Sequence, residues 1–207
     1  MTGAFDLSVY FVADPSCCAG RDIAGVVMDA VRGGVTMVQY RNKSDNMPEI
    51  HAQAAMIAEL LKDSDVPFLI NDHIDVAFAV EADGVHLGQG DASPATAREK
   101  LGSQAIIGQT AFTSEHMQAI DPQVVDYVGT GPFYPTQTDK GKPVLGAEEF
   151  AALVKLSPVP VVGIGGITAG NAAAVIDAGA HGVAMMRAIS EAESPEAAAQ
   201  EFTKVLS

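Results

Sequence analysis

Short apolar runs alternate with longer amphipathic stretches along this chain. Eight runs have strand composition, and most are continuously apolar, which is typical of parallel strands buried on both faces. The predicted strands are Leu7–Ala13, Val35–Tyr40, Pro67–Ile70, Gly84–Leu87, Ala105–Gln109, Tyr127–Gly129, Val159–Ile164 and Gly182–Met186. The stretches between and after them give eight helical patterns, so the chain repeats a strand–helix unit.

Several of the predicted helices have legible ends. Ser93–Pro94 gives an N-cap and a first helical residue, and Gly102 ends that helix. Another helix starts at Asn46–Pro48, and Thr168 is expected to cap the helix that stops at Ala178–Gly179. The predicted inner face of the second helix is Ile50, Ala54, Ile57 and Leu61.

The alternation predicts an α/β fold, either a closed barrel or an open doubly wound sheet. Gly-Val pairs at 34–35, 84–85 and 182–183 each open a strand after a helix, which supports internal repetition. Candidate site residues follow strands 2, 3, 4, 6, 7 and 8, and only a closed ring gathers so many strand ends around one centre. We therefore predict a single-domain (βα)8 TIM barrel over residues 1–207.

The negative net charge limits the kinds of ligand that the chain is expected to bind. The chain has 12 basic and 26 acidic residues and a net charge of −14, which argues against binding nucleic acid but not against small anionic ligands. We expect no signal peptide and no membrane span. The adjacent Cys17 and Cys18 predict free thiols in a reducing cytoplasm. The sequence leaves the oligomeric state open, a homodimer included.

Five of the twelve basic residues follow predicted strands, and this placement predicts a site for phosphorylated ligands. They are Arg41, Lys43, Lys140, Lys142 and Arg187. The Arg41 guanidinium is a planar fork suited to phosphate oxygens, and Lys43 adds a point charge from the same segment. The alternative is a solvated loop with ordinary surface cations.

Two carboxylates also follow strands and predict a Mg²⁺ site. Asp72 comes after Asn71 at the end of strand 3, and Asp91 follows strand 4. One or two carboxylates, completed by substrate phosphate and water, are the usual Mg²⁺ ligands. The alternative is that both acids cap helices. His73 and His86 are expected to form hydrogen bonds rather than to catalyse.

Later loops add phosphate-binding features. Thr136, Thr138 and Lys140 follow strand 6, although this Pro- and Gly-containing segment is also consistent with a mobile loop. The turn at Gly165–Thr168 joins strand 7 to its helix, and Met186–Arg187 ends strand 8. Loops after strands 7 and 8 form the phosphate site common in α/β barrels.

Taken together, these segments resemble the thiamine phosphate synthase family. That family shows Gln-x-Arg-x-Lys, Asn-Asp, Gly-Val-His-Leu-Gly-Gln-x-Asp, Gly-Pro-x-x-Pro-Thr-x-Thr and Gly-Gly-Ile in this order. The motifs stand here as Gln39–Lys43, Asn71–Asp72, Gly84–Asp91, Gly131–Thr138 and Gly165–Ile167. Their joint occurrence is far more specific than any one of them.

The resemblance implies a TIM-barrel transferase that couples hydroxymethylpyrimidine diphosphate with thiazole phosphate in a dissociative, Mg²⁺-assisted step. It implies metal binding by Asp72 and Asp91 and catalytic roles for Arg41, Lys43 and Lys140. The substrate-binding residues it implies are Gln39, Tyr40, Arg41, Asn42, Lys43, Asn71, Thr110, Thr136, Gln137, Thr138, Lys140, Gly166, Met186 and Arg187.

Three positions depart from the family pattern. Asp139 separates Thr138 from Lys140, and we expect Asp139 to point outward while Lys140 replaces the family lysine. Arg187 stands where serine is common, and Phe112 where histidine is frequent. The related thiazole tautomerases need that histidine and tend to lack the second acid, so both features favour the synthase. A barrel that binds phosphate ligands without turnover is a third hypothesis.

Overall fold

The eight strands close into a parallel barrel. In this computed structural model, which describes residues 5–138, 141 and 143–207, each strand pairs with the next in chain order and the last pairs with the first. The strands are β1 Val9–Ala13, β2 Met37–Tyr40, β3 Phe68–Asn71, β4 Gly84–Leu87, β5 Ile106–Thr110, β6 Tyr127–Thr130, β7 Val161–Ile164 and β8 Gly182–Met185. The predicted TIM barrel is confirmed, and the open sheet is excluded.

A layer of helices surrounds the barrel. The helices are α1 Ile23–Arg32, α2 Met47–Leu61, α3 Ile74–Ala79, α4 Pro94–Leu101, α5 Ser114–Gln118, α6 Gly146–Leu156, α7 Ala172–Asp177, α8 Arg187–Ser190 and α9 Pro195–Leu206, with a 3-10 helix at Pro15–Cys17. After the short α8, the terminal α9 packs against α1, where the Thr203 hydroxyl donates to the Gly33 carbonyl at 3.2 Å. In the described part of the chain, no helix is long and apolar enough to cross a membrane.

Local sequence signals explain where two of these helices begin. The Asn46 side chain accepts from the Glu49 N–H at the start of α2, and Ser93 accepts from the Thr96 N–H at the start of α4. Gly102 is the C-cap of α4, as predicted. The predicted inner face of α2 is buried in full: Ile50, Ala54, Ile57 and Leu61.

The barrel has two apolar layers, because successive strand side chains point to opposite faces. Outward-facing side chains such as Val38 and Ile70 pack against the helices in the larger core. Inward-facing side chains fill the barrel interior with a smaller core: Leu7, Tyr10, Val12, Met37, Leu69, Ile106, Tyr127, Val162 and Ala184. Above this interior core, several inward positions at the carboxyl ends of the strands are polar, including Gln39, Asn71 and Thr110.

The predicted boundaries were wrong by one or two residues at several strands. Strands 1, 2 and 7 start later than predicted, because apolar residues such as Leu7 and Val35 are buried in the preceding turns rather than paired in the sheet. Strands β3 and β5 are each shifted by one residue, so that they end at Asn71 and Thr110. Both of these polar residues therefore occupy the last position of a strand.

The predicted cap at Thr168 was wrong. Helix α7 begins later, and its N-cap is Asn171. The Asn171 amide instead organises the preceding turn: its oxygen accepts from the Thr168 N–H at 2.8 Å, and its nitrogen donates to the Gly166 carbonyl at 3.1 Å. The predicted end of the helix at 178–179 is confirmed, since Ala178 is the C-cap.

Close contact between neighbouring strands predicts a strong requirement for glycine at position 84. A Cβ on Gly84 would lie 1.9 Å from the Ile106 carbonyl oxygen of the next strand, so the backbones would have to separate. Gly84→Ala should lower the free energy of unfolding by about 1–3 kcal/mol, measured by urea denaturation. The control is Gly90→Ala, where a Cβ would meet nothing within 4 Å and the change should stay within about 0.5 kcal/mol. Equal stabilities of the two variants would contradict this account.

Candidate active site

The carboxyl ends of the strands surround a cavity of about 820 Å³. Every strand, or the loop that follows it, contributes to the lining. The predicted site residues that line it are Gln39, Arg41, Lys43, Asn71, Asp72, Asp91, Thr110, Thr136, Gln137, Thr138, Gly166, Met186 and Arg187. Lys140, together with Asp139 and Lys142, lies outside the described residues.

Two predicted binding residues, Tyr40 and Asn42, are placed elsewhere. The Tyr40 hydroxyl donates to the Gln53 Oε1 of α2 at 2.7 Å, and the Asn42 amide donates to the Tyr40 hydroxyl at 3.1 Å. The reason is strand alternation: Gln39 and Arg41 point into the barrel, so the residues between and after them point to the helices. A motif read as five consecutive binding residues therefore divides into two faces.

The two predicted metal ligands lie side by side at the mouth of the barrel. The carboxyl groups of Asp72 and Asp91 are in hydrogen-bond contact, and Lys43 forms an ion pair with Asp72. Asp91 Oδ2 also accepts from the Gly88 N–H at 2.7 Å. The alternative was that both aspartates cap helices. The N-caps of the two following helices are instead His73 and Ser93.

The two carboxyl groups differ in acidity. Burial raises the pKa of Asp72, and its hydrogen bond with Asp91 adds to the rise, while Lys43 opposes it. Burial also acts to raise the pKa of Asp91, but the hydrogen bonds with Asp72 and the Gly88 N–H, and the charge of Lys43, lower it overall. Asp91 therefore ionises more readily than Asp72, whose charged form is disfavoured by burial and by the neighbouring Asp91.

These residues fit a Mg²⁺ ion whose remaining ligands come from substrate and water. Asp72 and Asp91 offer hard carboxylate oxygens at one point, and a cation bound by both would relieve the repulsion between them. Among the described residues, no group of three or more His, Cys, Asp or Glu side chains forms a preformed metal cage. A Mg²⁺ bound with a phosphorylated substrate suits such an incomplete set of protein ligands.

Arg41 is held by an aspartate that the sequence analysis missed. Asp14 is 3% exposed and forms an ion pair with Arg41 through Oδ2. Its other oxygen, Oδ1, accepts from the Ser16 N–H at 2.9 Å and the Ser16 hydroxyl at 2.6 Å. Both oxygens are thus used, and the guanidinium is fixed at the rim between β1 and β2. The only sequence signal was an acid directly after the first strand.

The base of the cavity is a row of hydrogen-bonded polar side chains, which we name the floor row: Gln39, Tyr10, Tyr127, His86 and Thr110. The successive distances are 2.5 Å from Gln39 Nε2 to the Tyr10 hydroxyl, 2.7 Å between the two phenols, 2.9 Å to His86 Nδ1, and 3.0 Å from His86 Nε2 to the Thr110 hydroxyl. Burial lowers the pKa of His86 to about 4, so this histidine is neutral near pH 7. His86 is a hydrogen-bonding residue, as predicted, while Tyr10 and Tyr127 were missed.

The loops after β6 and β7 pack against each other on the opposite side of the cavity. Gly165 and Gly166 have φ values of +101° and +65°, and a Cβ on either residue would lie 2.5 Å from Pro132 or from the Pro135 carbonyl. The Tyr134 N–H donates to the Gly165 carbonyl at 3.0 Å. Glycine is therefore needed at both positions, where the backbone turns and the two loops approach closely.

Arg187 connects this side of the cavity to the end of β8. Its Nε donates to the Thr138 hydroxyl at 3.3 Å, and its guanidinium forms an ion pair with Glu191 one helical turn later. The Thr138 N–H in turn donates to the Thr136 hydroxyl at 3.3 Å. A cation and two hydroxyl groups thus meet at the rim where sequence predicted phosphate binding.

Comparison with known proteins assigns the chain to a family. The model of the family described as "Thiamine monophosphate synthase" matches residues 9–189. The chain belongs to the thiamine monophosphate synthase family. A thiamine-phosphate synthase of Haloarcula marismortui is 41% identical over 94% of each chain, and one of Xanthobacter autotrophicus is 43% identical over 97% of this chain and 95% of its own.

A solved structure of a similar protein has the same architecture. Thiamine phosphate pyrophosphorylase from Pyrococcus furiosus is 31% identical, with a TM-score of 0.85 over 97% of this chain and 95% of its own. The resemblance to the thiamine monophosphate synthase family that the motifs indicated is confirmed by these comparisons, which extend over nearly the whole chain.

The raised pKa of Asp72 predicts that this residue lowers the stability of the metal-free protein. Folding disfavours its ionised form, so the destabilisation is present above the folded-state pKa and vanishes below the ordinary value of 3.8. Asp72→Asn should therefore raise the free energy of unfolding near pH 7 without divalent metal, and the gain should shrink toward pH 4. Urea denaturation at both pH values measures it.

Asp75→Asn is the matched control for that prediction. Asp75 is an exposed aspartate nearby whose pKa is lowered by its hydrogen bond with Lys100, so its removal should slightly lower stability instead. A loss of stability in Asp72→Asn near pH 7 would contradict the electrostatic account of the carboxylate pair.

Proposed function

We propose that this protein is a thiamine-phosphate synthase, a transferase that joins hydroxymethylpyrimidine diphosphate to thiazole phosphate and releases pyrophosphate. The observation that carries the proposal is the pairing of Asp72 and Asp91 beside Lys43 and Arg41 in one cavity. This arrangement occurs in a chain about 41% identical, over nearly its full length, to curated thiamine-phosphate synthases.

The proposed reaction exchanges one bond for another. The bond between the pyrimidine methylene carbon and the diphosphate oxygen breaks, and its electron pair leaves with the diphosphate. The lone pair of the thiazole nitrogen then forms the new carbon–nitrogen bond. The aminopyrimidine ring helps to expel the leaving group, so no protein nucleophile is needed, and the protein stabilises the charge that develops on the diphosphate.

Asp72 and Asp91 would hold Mg²⁺ in this proposal, and the ion when bound would supply positive charge to the departing diphosphate. Arg41 and Lys43 add cationic hydrogen-bond donors from the β2 loop. The Lys43 ammonium contacts Asp72 and needs only to pivot on its flexible stem to reach a phosphate oxygen. Lys140, outside the described residues, stays a proposed third cation.

Asn71 is well suited to bind the diphosphate substrate. Its Nδ2 is buried, with no hydrogen-bond partner among the described residues, although Asn71 lines the cavity. A buried amide donor without a partner is unfavourable, and a phosphate or ring acceptor would satisfy it. Gln39 and Thr110 complete the side of the cavity proposed to hold the pyrimidine.

The thiazole phosphate is proposed to bind across the cavity. Its phosphate would meet Thr136, Gln137, Thr138, the Gly166 turn and the end of β8 at Met186–Arg187. The contact between Arg187 and Thr138 supports this role, because it holds a cation next to the hydroxyl groups in place of the serine common in the family.

Phe112 separates this proposal from thiazole tautomerase activity. Phe112 lines the cavity at the position where the tautomerases are expected to use a histidine as acid and base. A phenyl ring cannot transfer protons, so isomerisation lacks an acid–base group at this position.

We further propose a single domain over residues 1–207 and a cytoplasmic location, which suits two free buried thiols, Cys17 and Cys18. The oligomeric state is left open, a homodimer included.

The test of the proposed function is direct coupling. Purified protein with hydroxymethylpyrimidine diphosphate, thiazole phosphate and Mg²⁺ should release equal amounts of thiamine phosphate and pyrophosphate. Asp72→Ala and Arg41→Ala should each lower kcat/KM by about 100-fold or more, because each removes charge stabilisation of the leaving group. Asp75→Asn serves as the control, with wild-type turnover expected. Isomerised thiazole as the only product would assign the protein to the tautomerases, and ligand binding without product to a non-catalytic barrel.

Removal of divalent metal should abolish coupling reversibly. EDTA-treated protein is expected to show no turnover and to recover when Mg²⁺ is added back, since the diphosphate would otherwise leave without charge neutralisation. The same treatment should leave the circular dichroism spectrum unchanged, because Asp72 and Asp91 lie outside the two apolar cores that hold the barrel together. Full activity in excess EDTA would remove the metal from the proposal.

A further inference from the structure

The floor row crosses the barrel from β2 to β5 and has no role in the proposed reaction beyond its two ends. Gln39 and Thr110, at the ends, are proposed to contact the pyrimidine substrate. Tyr10, Tyr127 and His86 lie between them, and their polar atoms form an unbroken sequence of hydrogen bonds of 2.5–3.0 Å. Burial of five polar side chains in a barrel interior destabilises the fold unless each is hydrogen-bonded, and each member of this row has such a partner.

Neighbouring strands leave space for the row. A Cβ on Gly108 would lie 2.2 Å from Tyr127 Cζ and 2.5 Å from His86 Nδ1. A Cβ on Gly129 would lie 3.0 Å from His86 Cε1. Two inward positions on β5 and β6 are therefore glycine where any side chain would displace the phenol and the imidazole. The row is built into the backbone arrangement of the barrel.

The hydrogen bonds of the floor row all donate in one direction, from Gln39 toward Thr110. Gln39 Nε2 donates to the Tyr10 oxygen, and in the arrangement that gives every proton of the row an acceptor, the single proton of Tyr10 points to Tyr127. The single proton of Tyr127 then points to His86 Nδ1, which makes this nitrogen an acceptor. In this arrangement the imidazole proton is on Nε2, from which it is donated to the Thr110 hydroxyl oxygen. The Thr110 proton is left to point into the cavity that Thr110 lines.

We infer that Tyr10, Tyr127 and His86 are positioning residues that hold the Thr110 hydroxyl as a hydrogen-bond donor toward the substrate ring. Resting on the proposed function, this inference names the acceptor: a ring nitrogen of the aminopyrimidine, which offers a lone pair and no proton. If the hydrogen bonds of the floor row donated in the opposite order, the Thr110 hydroxyl would be an acceptor. It would then favour an amino group of the substrate rather than a ring nitrogen. The row thus sets the polarity of one subsite from a distance.

A double-mutant cycle tests this coupling between the middle of the row and its end. Tyr127→Phe should lower kcat/KM for the pyrimidine diphosphate by about 3- to 10-fold, through KM, when Thr110 is present, because His86 loses the donor that fixes its tautomer. In a Thr110→Val background the same change should have an effect of less than about twofold. Equal effects in both backgrounds would overturn the inference.

The relative affinities for substrate analogues provide a second test, because a general loss of stability would not change the preference for one ring over another. Two diphosphate analogues, each with one ring nitrogen replaced by C–H, are compared with the pyrimidine by calorimetric binding. Wild-type protein should bind one of them about 10-fold more weakly, and Tyr127→Phe and Thr110→Val should lose this discrimination. Discrimination kept in both variants would show that Thr110 does not donate to the ring.

Two other tyrosines are the controls. Tyr10→Phe should have a smaller effect than Tyr127→Phe, because Tyr127 keeps its proton for His86. Tyr40→Phe removes a buried hydroxyl whose bond lies outside the barrel, with Gln53, and should leave discrimination unchanged. Wild-type protein that binds and discriminates the analogues without coupling would reject the proposed function alone. Coupling without discrimination would reject the inference alone, and absence of both binding and coupling would overturn both.

Discussion

The pairing of β8 with β1 is the constraint on which the site depends. Hydrogen bonds between parallel strands in register, with Phe11 opposite Met185, close the sheet and turn all eight carboxyl ends toward one rim. Residues from the start and the end of the chain thereby face the same cavity. In an open sheet of the same strands, β1 and β8 would not be neighbours, and the cations after β2 and β8 would not face one cavity.

The closed rim concentrates charge in a way that the average composition does not reveal. A chain with net charge −14 places Arg41, Lys43 and Arg187 around its cavity, each paired with a carboxylate: Asp14, Asp72 and Glu191. These pairs hold the long side chains at the rim of the cavity. The two that face the proposed metal and thiazole phosphate can exchange the carboxylate for a phosphate, while the buried Asp14 stays as the support of Arg41. Burial and the neighbouring Asp91 raise the pKa of Asp72, so folding disfavours its charged form, as expected where function opposes stability.

Strand alternation decides which residues of a motif reach the cavity. The segment Gln39–Lys43 was predicted as one binding unit, but its members alternate between the barrel interior and the helix layer. The helix starts depend on residues within one turn. Asn46 and Ser93 were predicted correctly as N-caps, whereas the predicted Thr168 cap was wrong because the Asn171 side chain accepts from the Thr168 N–H and the helix begins after Asn171.

The sequence by itself determined the strand–helix repeat, the Asn46 and Ser93 caps, and the kinds of side chain that follow each strand, because these depend on residues near one another along the chain. Only the tertiary structure decided that Asp14 holds Arg41, across 27 positions, and that Tyr10 meets Tyr127, across 117. Such contacts depend on the register and closure of the barrel, which bring inward-facing positions of distant strands within hydrogen-bonding distance. A single strand carries no local pattern that specifies its partner across the barrel, and for that reason the floor of the cavity became visible only in the folded protein.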